Sequence, residues 1–375
     1  MSDSRRIVVA ANSAWNLVKL RAGLIRGLRE RGFHVTVMSA ADPSFEQALR
    51  ELADERVVIP IDRSGLNPIA DLRLLGAYRR QLRQLRPAAF LGFTVKPNIY
   101  GCIAARATGV PAIANVSGLG TAFIRGGALQ WLVSKLYRFA LRGASTVFFQ
   151  NPDDRALFVE RGLVAADRAR LLPGSGIDVD RFEATALPEG PPVFLLIARL
   201  LGDKGVREFA QAARMLRAEL PGARFQLLGP VDSGNRTAIG QAELDRWAGE
   251  GIVEHLGETD DVRPFIAEAT AVLLPSYREG LPRVLLEGGA GARPLIATDV
   301  PGCREVVQDG VNGFLCEARS AVSLADAMRR LVQLSSAERT AMGLAARRRV
   351  QDWFSERAVV EAYLGALGKV GAAKS

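Results

Sequence analysis

Histidine is nearly absent from this 375-residue chain: only His34 and His255 occur. Metal sites and nucleophile–base pairs built on imidazole therefore have little material to work with. Cysteine is as sparse. Cys102, Cys303 and Cys316 lie far apart, are odd in number and form no C-x-x-C or C-x-x-H spacing, which excludes a disulfide framework and a zinc site and fits a reducing cytoplasm. No run approaches the roughly 18 apolar residues that a membrane-spanning helix needs. The opening MSDSRRIVVAAN has too short an apolar stretch for a secretory signal and leads straight into mixed charged and apolar sequence. A soluble or membrane-peripheral protein is expected.

Acid is missing from one long stretch. Between 72 and 152 there is no Asp or Glu, while Arg73, Arg79, Arg80, Arg83, Arg86, Lys96, Arg106, Arg125, Lys135, Arg138 and Arg142 all fall there. The formal net charge is +9. Two readings stay open: solvated arginines of a generally basic composition, or a positive face for anionic lipid head groups or a phosphorylated acceptor. Nucleic acid is not expected as a partner, because little aromatic interleaving and no nucleic-acid module accompany the charge.

With 48% hydrophobic and 24% charged residues, the chain can bury two cores. Short apolar runs alternate with helical periods throughout, the pattern of parallel α/β layering. In the first half the strand candidates are 7–12, 34–40, 57–61, 88–93, 111–117 and 146–151; in the second, 193–199, 224–230, 253–257, 271–276, 294–299 and 313–317. Leu17, Leu20, Leu24, Ile25 and Leu28 form one helical stripe ended by Gly32. The expected organisation is a first domain over 1–175, a Gly- and Pro-rich linker over 176–192, a second domain over 193–354 and a last helical segment, 355–375, packing back on the first. In open α/β sheets ligands bind outside the carboxyl ends of the strands, so two such domains are expected to share a cleft there.

The most informative segment is SYREGLPRVLLEGGAGARPLIATDVPGCREVVQDGVNGFL, 276–315. A buried strand leads to a turn loosened by Gly280; Pro282 suits the first position of the helix that comes next and carries Glu287. The free N–H groups and the dipole at that helix start suit an anion such as a diphosphate. Glu279 and Glu287 flank it, and carboxylates accept hydrogen bonds from sugar or ribose hydroxyls. Alone, the pair reads equally as a first-turn acid opposing the helix dipole and a solvated acid.

In context, the segment resembles the E-x7-E signature of retaining family 4 glycosyltransferases, which have the GT-B fold. ARLLGDKGVREFAQAARML (198–216) resembles that family's R-x4-K pattern, with Arg199 and Lys204 in those places, and GSGIDVDRF resembles its domain-crossing segment. The resemblance implies an α/β protein of two Rossmann-like, doubly wound parallel-sheet domains, with a C-terminal helix crossing back. It implies that Arg199 and Lys204 neutralise a donor diphosphate, that Glu287 bonds the ribose, that Glu279 meets the transferred sugar, and that Gly280 and Leu281 complete the phosphate cradle. The base would lie near Val253, Leu256, Gly229 and Pro230.

ANSAWNLVKLRAGLIRGL (11–28), FTVKPNIYG (93–101) and NVSGLGTAF (115–123) resemble a narrower branch that extends polyprenyl-diphosphate-linked oligosaccharides. Asn12 and Ser13 would then meet the donor, or simply cap a helix. Lys96, Asn98, Gly118, Gly120 and Thr121 would meet the acceptor, or line a solvated loop. The donor expected is a UDP-sugar carrying a hexose or N-acetylhexosamine. Many members carry an N-domain histidine at the sugar; here only His34 is available, and Asn115 or Ser117 falls in that neighbourhood.

Asp178 and Asp180 match a metal-binding D-x-D, but they sit in the linker and read as turn residues, so no metal or other cofactor is expected to be required. GLGTAF lacks the third glycine of a dinucleotide fingerprint, and no P-loop pattern exists. The segment 127–142 is amphipathic. Leu129, Leu132, Val133, Leu136 and Ala140 share one face, which suits packing on the sheet, and Trp131, Lys135, Arg138 and Arg142 share the other, which suits an anionic membrane interface. Two alternatives remain: a non-hydrolysing UDP-sugar epimerase, and a non-catalytic basic protein that binds membrane or nucleic acid.

Overall fold

The computed structural model describes residues 5–62, 67–118, 127–232, 234–235 and 237–372, with the backbone alone at 127–129 and 371–372. The chain divides into two compact units, 1–176 together with 356–375, and 177–355.

The first unit is built on seven strands: β1 (Arg6–Ala10), β2 (His34–Ser39), β3 (Glu55–Val58), β4 (Ala89–Phe93), β5 (Ala112–Val116), β6 (Ala144–Phe149) and β7 (Ala169–Leu171). All pair in parallel, in the order β3-β2-β1-β4-β5-β6-β7. Parallel strands are covered on both faces, and β4 and β5 are accordingly buried at every position. One face carries α1 (Ala14–Leu20), α2 (Ala22–Glu30), α3 (Glu46–Leu52) and the last helix of the chain, Glu356–Ala372; the other carries α4 (Pro68–Leu85), α5 (Cys102–Ala107), α6 (Gly127–Leu141) and α7 (Pro152–Glu160). Tyr363 of the last helix lies 4.9 Å from the Phe148 ring and 5.9 Å from Phe93, and its hydroxyl accepts a hydrogen bond from Asn115 Nδ2 at 3.0 Å.

The second unit has six parallel strands: β8 (Val193–Ile197), β9 (Arg224–Leu228), β10 (Glu254–His255), β11 (Ala271–Leu274), β12 (Leu295–Thr298) and β13 (Gly313–Cys316), in the order β10-β9-β8-β11-β12-β13. Helices α8 (Val206–Leu216), α9 (Gln241–Gly249) and α13 (Ala321–Gln333) cover one face. Helices α10 (Arg263–Glu268), α11 (Arg283–Ala290), α12 (Cys303–Val306) and α14 (Ser336–Trp353) cover the other. The last helix of the first unit is thus α15 (Glu356–Ala372).

Several local expectations need correction. The stripe from Leu17 to Leu28 is two helices, not one. Arg21 breaks it at φ −122°, ψ 0°, because its buried guanidinium lies over the Phe93 ring at 4.4 Å and that contact overrides helical continuity. The strand placed over 57–61 runs instead from Glu55 to Val58, since Pro60 has no N–H for a ladder. The three-residue edge strand β7 lacks an apolar alternation and escaped the sequence reading. On α6, Trp131 is outward as expected, but Leu132 and Phe139 are exposed too.

The segment expected to be a linker is not a free tether. Ile177, Val179 and Phe182 are buried in the second core, and the Ile177 N–H donates to the Phe354 carbonyl at 2.9 Å. Arg293, 0% exposed, fastens Thr185 and Ala186 a few residues further along. Its Nε donates to Ile266 O (2.8 Å), Nη1 to Thr185 O and Ala186 O (3.2 Å each), and Nη2 to Ala267 O (2.9 Å) and the Thr185 hydroxyl. No carboxylate is among these acceptors, and burial lowers the guanidinium pKa to about 10. Arg293→Met would strip a donor from each of five acceptors, of which the Ile266 carbonyl keeps another partner, the Ala269 N–H. Urea unfolding is expected to show a loss of about 3–5 kcal/mol, with Arg293→Lys intermediate.

Candidate functional site

In a doubly wound sheet the crossover direction reverses at one point, and loops splay apart there. In the second unit that point lies between β8 and β11. After β8 the chain passes Arg199, makes a tight turn over Gly202–Lys204 and reaches Gly205 at φ +71°. A Cβ at Gly205 would stand 2.1 Å from the Pro275 carbonyl oxygen, so only glycine lets this turn press on the end of β11. The Asp203 carbonyl then accepts from the Tyr277 N–H at 3.0 Å and from the Ser276 hydroxyl at 3.2 Å.

This stitching brings Lys204 and Glu279 into contact. Nζ of Lys204 pairs with Oε1 of Glu279, and both side chains are largely withdrawn from solvent. Gly280 is buried, Leu281 packs on the core, and α11 starts after Pro282 with no side chain capping its N-terminus. Pro282 was expected as the first helical residue; its ψ of 115° makes it the residue before the helix. Glu287 lies on α11, where its Oε1 accepts from Arg283 Nε at 2.8 Å. Burial pushes its carboxyl pKa up, and Arg283 opposes the shift.

The remaining donor-side residues fall in different places. Arg199 is 58% exposed and turned to Asp232, with Nη1 3.0 Å from Oδ2. It is not paired with Glu279. Gly229, at φ +147°, lies against the end of β8, where a Cβ would meet the Ala198 carbonyl oxygen at 1.9 Å, and the Pro230 carbonyl accepts from the Leu200 N–H at 3.0 Å. Val253 is interior, and the Leu256 N–H donates to the Leu227 carbonyl at 2.9 Å. Tyr277, two residues before Glu279, carries no sequence signal of its own. Its hydroxyl donates to Glu208 Oε1 at 2.6 Å, its ring lies 4.7 Å from the Arg319 guanidinium, and burial, reinforced by Glu208, pushes its pKa up to about 12.

In the first unit the reversal lies between β1 and β4. Asn12 donates its backbone N–H to the Thr94 hydroxyl at 3.2 Å. Ser13 caps α1 by accepting from the Asn16 N–H. Lys96 sits 2.9 Å from Asp71 Oδ1. Asn98 is interior and spends Nδ2 on the Asn115 carbonyl at 2.7 Å, which closes it off from a ligand in this conformation. Gly118 is partly exposed; Gly120 and Thr121 lie outside the described residues. Asn115 is buried beneath Tyr363. Among the described residues no three His, Cys, Asp or Glu side chains gather as a metal would need.

Two family models match, the Glycosyl transferase 4-like domain over residues 21–174 and Glycosyl transferases group 1 over 191–334. Among curated proteins, the chain is 25% identical to the N,N'-diacetylbacillosaminyl-diphospho-undecaprenol alpha-1,3-N-acetylgalactosaminyltransferase of Campylobacter jejuni, covering 88% of this chain and 89% of that one. It is 23% identical to the capsular polysaccharide biosynthesis glycosyltransferase CapM of Staphylococcus aureus, covering 92% of both. Among solved structures, Anabaena HepE in complex with UDP and glucose superposes with a TM-score of 0.81 at 18% identity, over 97% of this chain and all of that one. Sucrose-phosphate synthase of Thermosynechococcus elongatus gives 0.82 at 19%, over 99% and 100%. A sugar-transferring enzyme of two parallel α/β units is what fold and matches together define. The chain belongs to the family 4 glycosyltransferases, with the GT-B fold, and is a hexosyltransferase.

Glu287 offers a test that needs no substrate. Its folded-state pKa is raised, so folding favours the protonated form. The stability it contributes is complete below the ordinary carboxylate range and is lost as pH rises through the raised value. At pH about 7.5 the ionised group is therefore a cost, and Glu287→Gln is expected to melt at or above wild type. The difference should close as pH falls to about 4. A loss of several degrees at the higher pH would contradict the assignment.

Proposed function

We propose that this enzyme moves a hexose or N-acetylhexosamine, with retention of configuration, from a UDP-sugar to a polyprenyl-diphosphate-linked sugar, in the synthesis of a cell-surface polysaccharide or glycoprotein glycan. The observation that carries the proposal is the Lys204–Glu279 pair at the β8/β11 reversal, beside the uncapped start of α11. Lys204 and the helix N-terminus receive the negative charge that grows on the departing diphosphate. Arg199, itself exposed, joins them by leaving the half-buried Asp232, a pair that solvent keeps weak. Glu279 bonds a hydroxyl of the transferred sugar, and Glu287 the ribose. The acceptor hydroxyl attacks C1 from the face the diphosphate leaves. The C1–O bond to the diphosphate breaks with oxocarbenium character, and the acceptor's proton passes to the departing phosphate oxygen. Orientation and charge stabilisation carry this step, with no metal required. The Campylobacter relative's name gives a diphospho-undecaprenol acceptor and the HepE structure holds UDP, and both support this reading.

The enzyme works, in this proposal, on the cytoplasmic face of the membrane. No described helix is long and apolar enough to cross a bilayer. The outward side of α6 presents Trp131, Leu132 and Phe139 among Lys135, Arg138 and Arg142, and α4, on the same face of the sheet, presents Ile69 and Leu72 among Arg73, Arg79, Arg80 and Arg83. Apolar side chains embedded in cations fit an interface with anionic lipid.

UDP is expected to raise the melting temperature in the presence of EDTA. Lys204→Ala and Glu287→Ala should each weaken UDP by about tenfold, ~1.4 kcal/mol; unchanged shifts in both would refute the site. In sedimentation with anionic liposomes, wild type should pellet, and a Trp131→Ala/Phe139→Ala double variant should stay largely in solution. Equal recovery of both would remove the membrane face from the account.

A further inference from the structure

The turn after β4 holds a second cation in a costlier way. Thr94 sits at φ +69°, a left-handed conformation that β-branched residues avoid. It is held by bonds on both sides: its hydroxyl accepts the Asn12 N–H and its carbonyl accepts the Asn98 N–H at 3.1 Å. A single π-helical turn, Pro97–Gly101, begins three residues further on. Between the two stands Lys96, at the carboxyl end of β4 beside β1, where ligands meet such a sheet.

Lys96 is fixed from below. Asp71, on the first turn of α4, is 6% exposed. One oxygen takes the Lys96 ammonium at 2.9 Å; the other accepts the Tyr100 hydroxyl at 2.8 Å, and burial together with that bond raises the tyrosine pKa. Tying α4 to β4 needs only apolar contacts. Burying a carboxylate for that purpose costs several kcal/mol before its partners repay it. What the arrangement adds is a lysine whose direction is set. An ammonium has three donors, Asp71 meets it from one side as an ion pair, and the Lys96 side chain remains 15% exposed. The exposed Val95 stands beside it at the rim.

We propose that Asp71 and Tyr100 are positioning residues that aim Lys96 at the diphosphate of the lipid-linked acceptor. This rests on the acceptor class proposed above. Asp71 cancels part of the lysine's long-range charge but fixes its direction, which discriminates a diphosphate placed at one point from anions in general.

The test separates the two anion sites. With UDP saturating the donor site, geranyl diphosphate is titrated calorimetrically into the full-length protein. Wild type should bind it. Lys96→Met should weaken it about tenfold and Lys96→Arg should recover most of that. Tyr100→Phe, which removes one hydroxyl at a partly exposed position, should weaken geranyl diphosphate about three- to fivefold. It should also raise the acceptor KM while the donor KM, the UDP affinity and the melting temperature stay as in wild type. Asp71→Asn should behave as Lys96→Met wherever it folds. Indifference of geranyl diphosphate to Lys96→Met, with UDP still bound, overturns this assignment alone. A Tyr100→Phe protein that loses melting temperature but keeps its acceptor KM reduces the group to a strap and overturns it as well. If wild type fails to bind UDP at all, the donor-site reading falls first and takes this one with it.

Discussion

Parallel strands cannot be joined by hairpins; the chain must cross back over the sheet each time, so every strand of a sheet ends at the same edge. That constraint organises both units. Backbone ends, short turns and the few polar side chains that a doubly covered sheet can spare all collect at one rim, and they part where the winding reverses, between β1 and β4 and between β8 and β11. The two rims hold a lysine by different means. Lys204 is met by Glu279 from the neighbouring strand's turn, and Lys96 by Asp71 from a helix on the sheet's face. In the function proposed here the first carboxylate is itself offered to a ligand, whereas the second, almost wholly buried, aims the lysine.

Charges withdrawn from water recur through the structure, and they serve different ends. Arg293 is surrounded by carbonyls and one hydroxyl, and it turns a Gly- and Pro-rich segment into part of the second core. Glu287 is held under burial with one helical partner, an arrangement that favours neutrality and so works against the fold at neutral pH. A carboxylate kept at such a cost fits a group retained for what it binds.

The sequence-level signals carried unequal weight. The alternation of short apolar runs with helical periods located nearly every strand, because strands buried on both faces leave continuous hydrophobic text. The spacing of Glu279 and Glu287 and the order of Arg199 and Lys204 were legible because each sits within a few residues of a strand end or helix start. Pairings set by tertiary packing could not be read. Nothing in FTVKPNIYG says that Lys96 finds Asp71, or that Arg199 turns to Asp232. The helix break at Arg21 is invisible to periodicity, since its cause, the Phe93 ring, lies on another element. Edge strand β7, too short and too exposed to alternate, left no pattern at all.

The second unit is one uninterrupted stretch of chain, whereas the first recovers α15 from the far end. On the ribosome this order matters. Residues 1–176 emerge first, yet Phe93 and Phe148 wait for Tyr363 until the whole of the other unit has been made. At about 5–20 residues per second the interval is roughly ten to forty seconds. For that time a nascent sheet carries an uncovered apolar strip, so the half that is translated earliest is the half that is finished last.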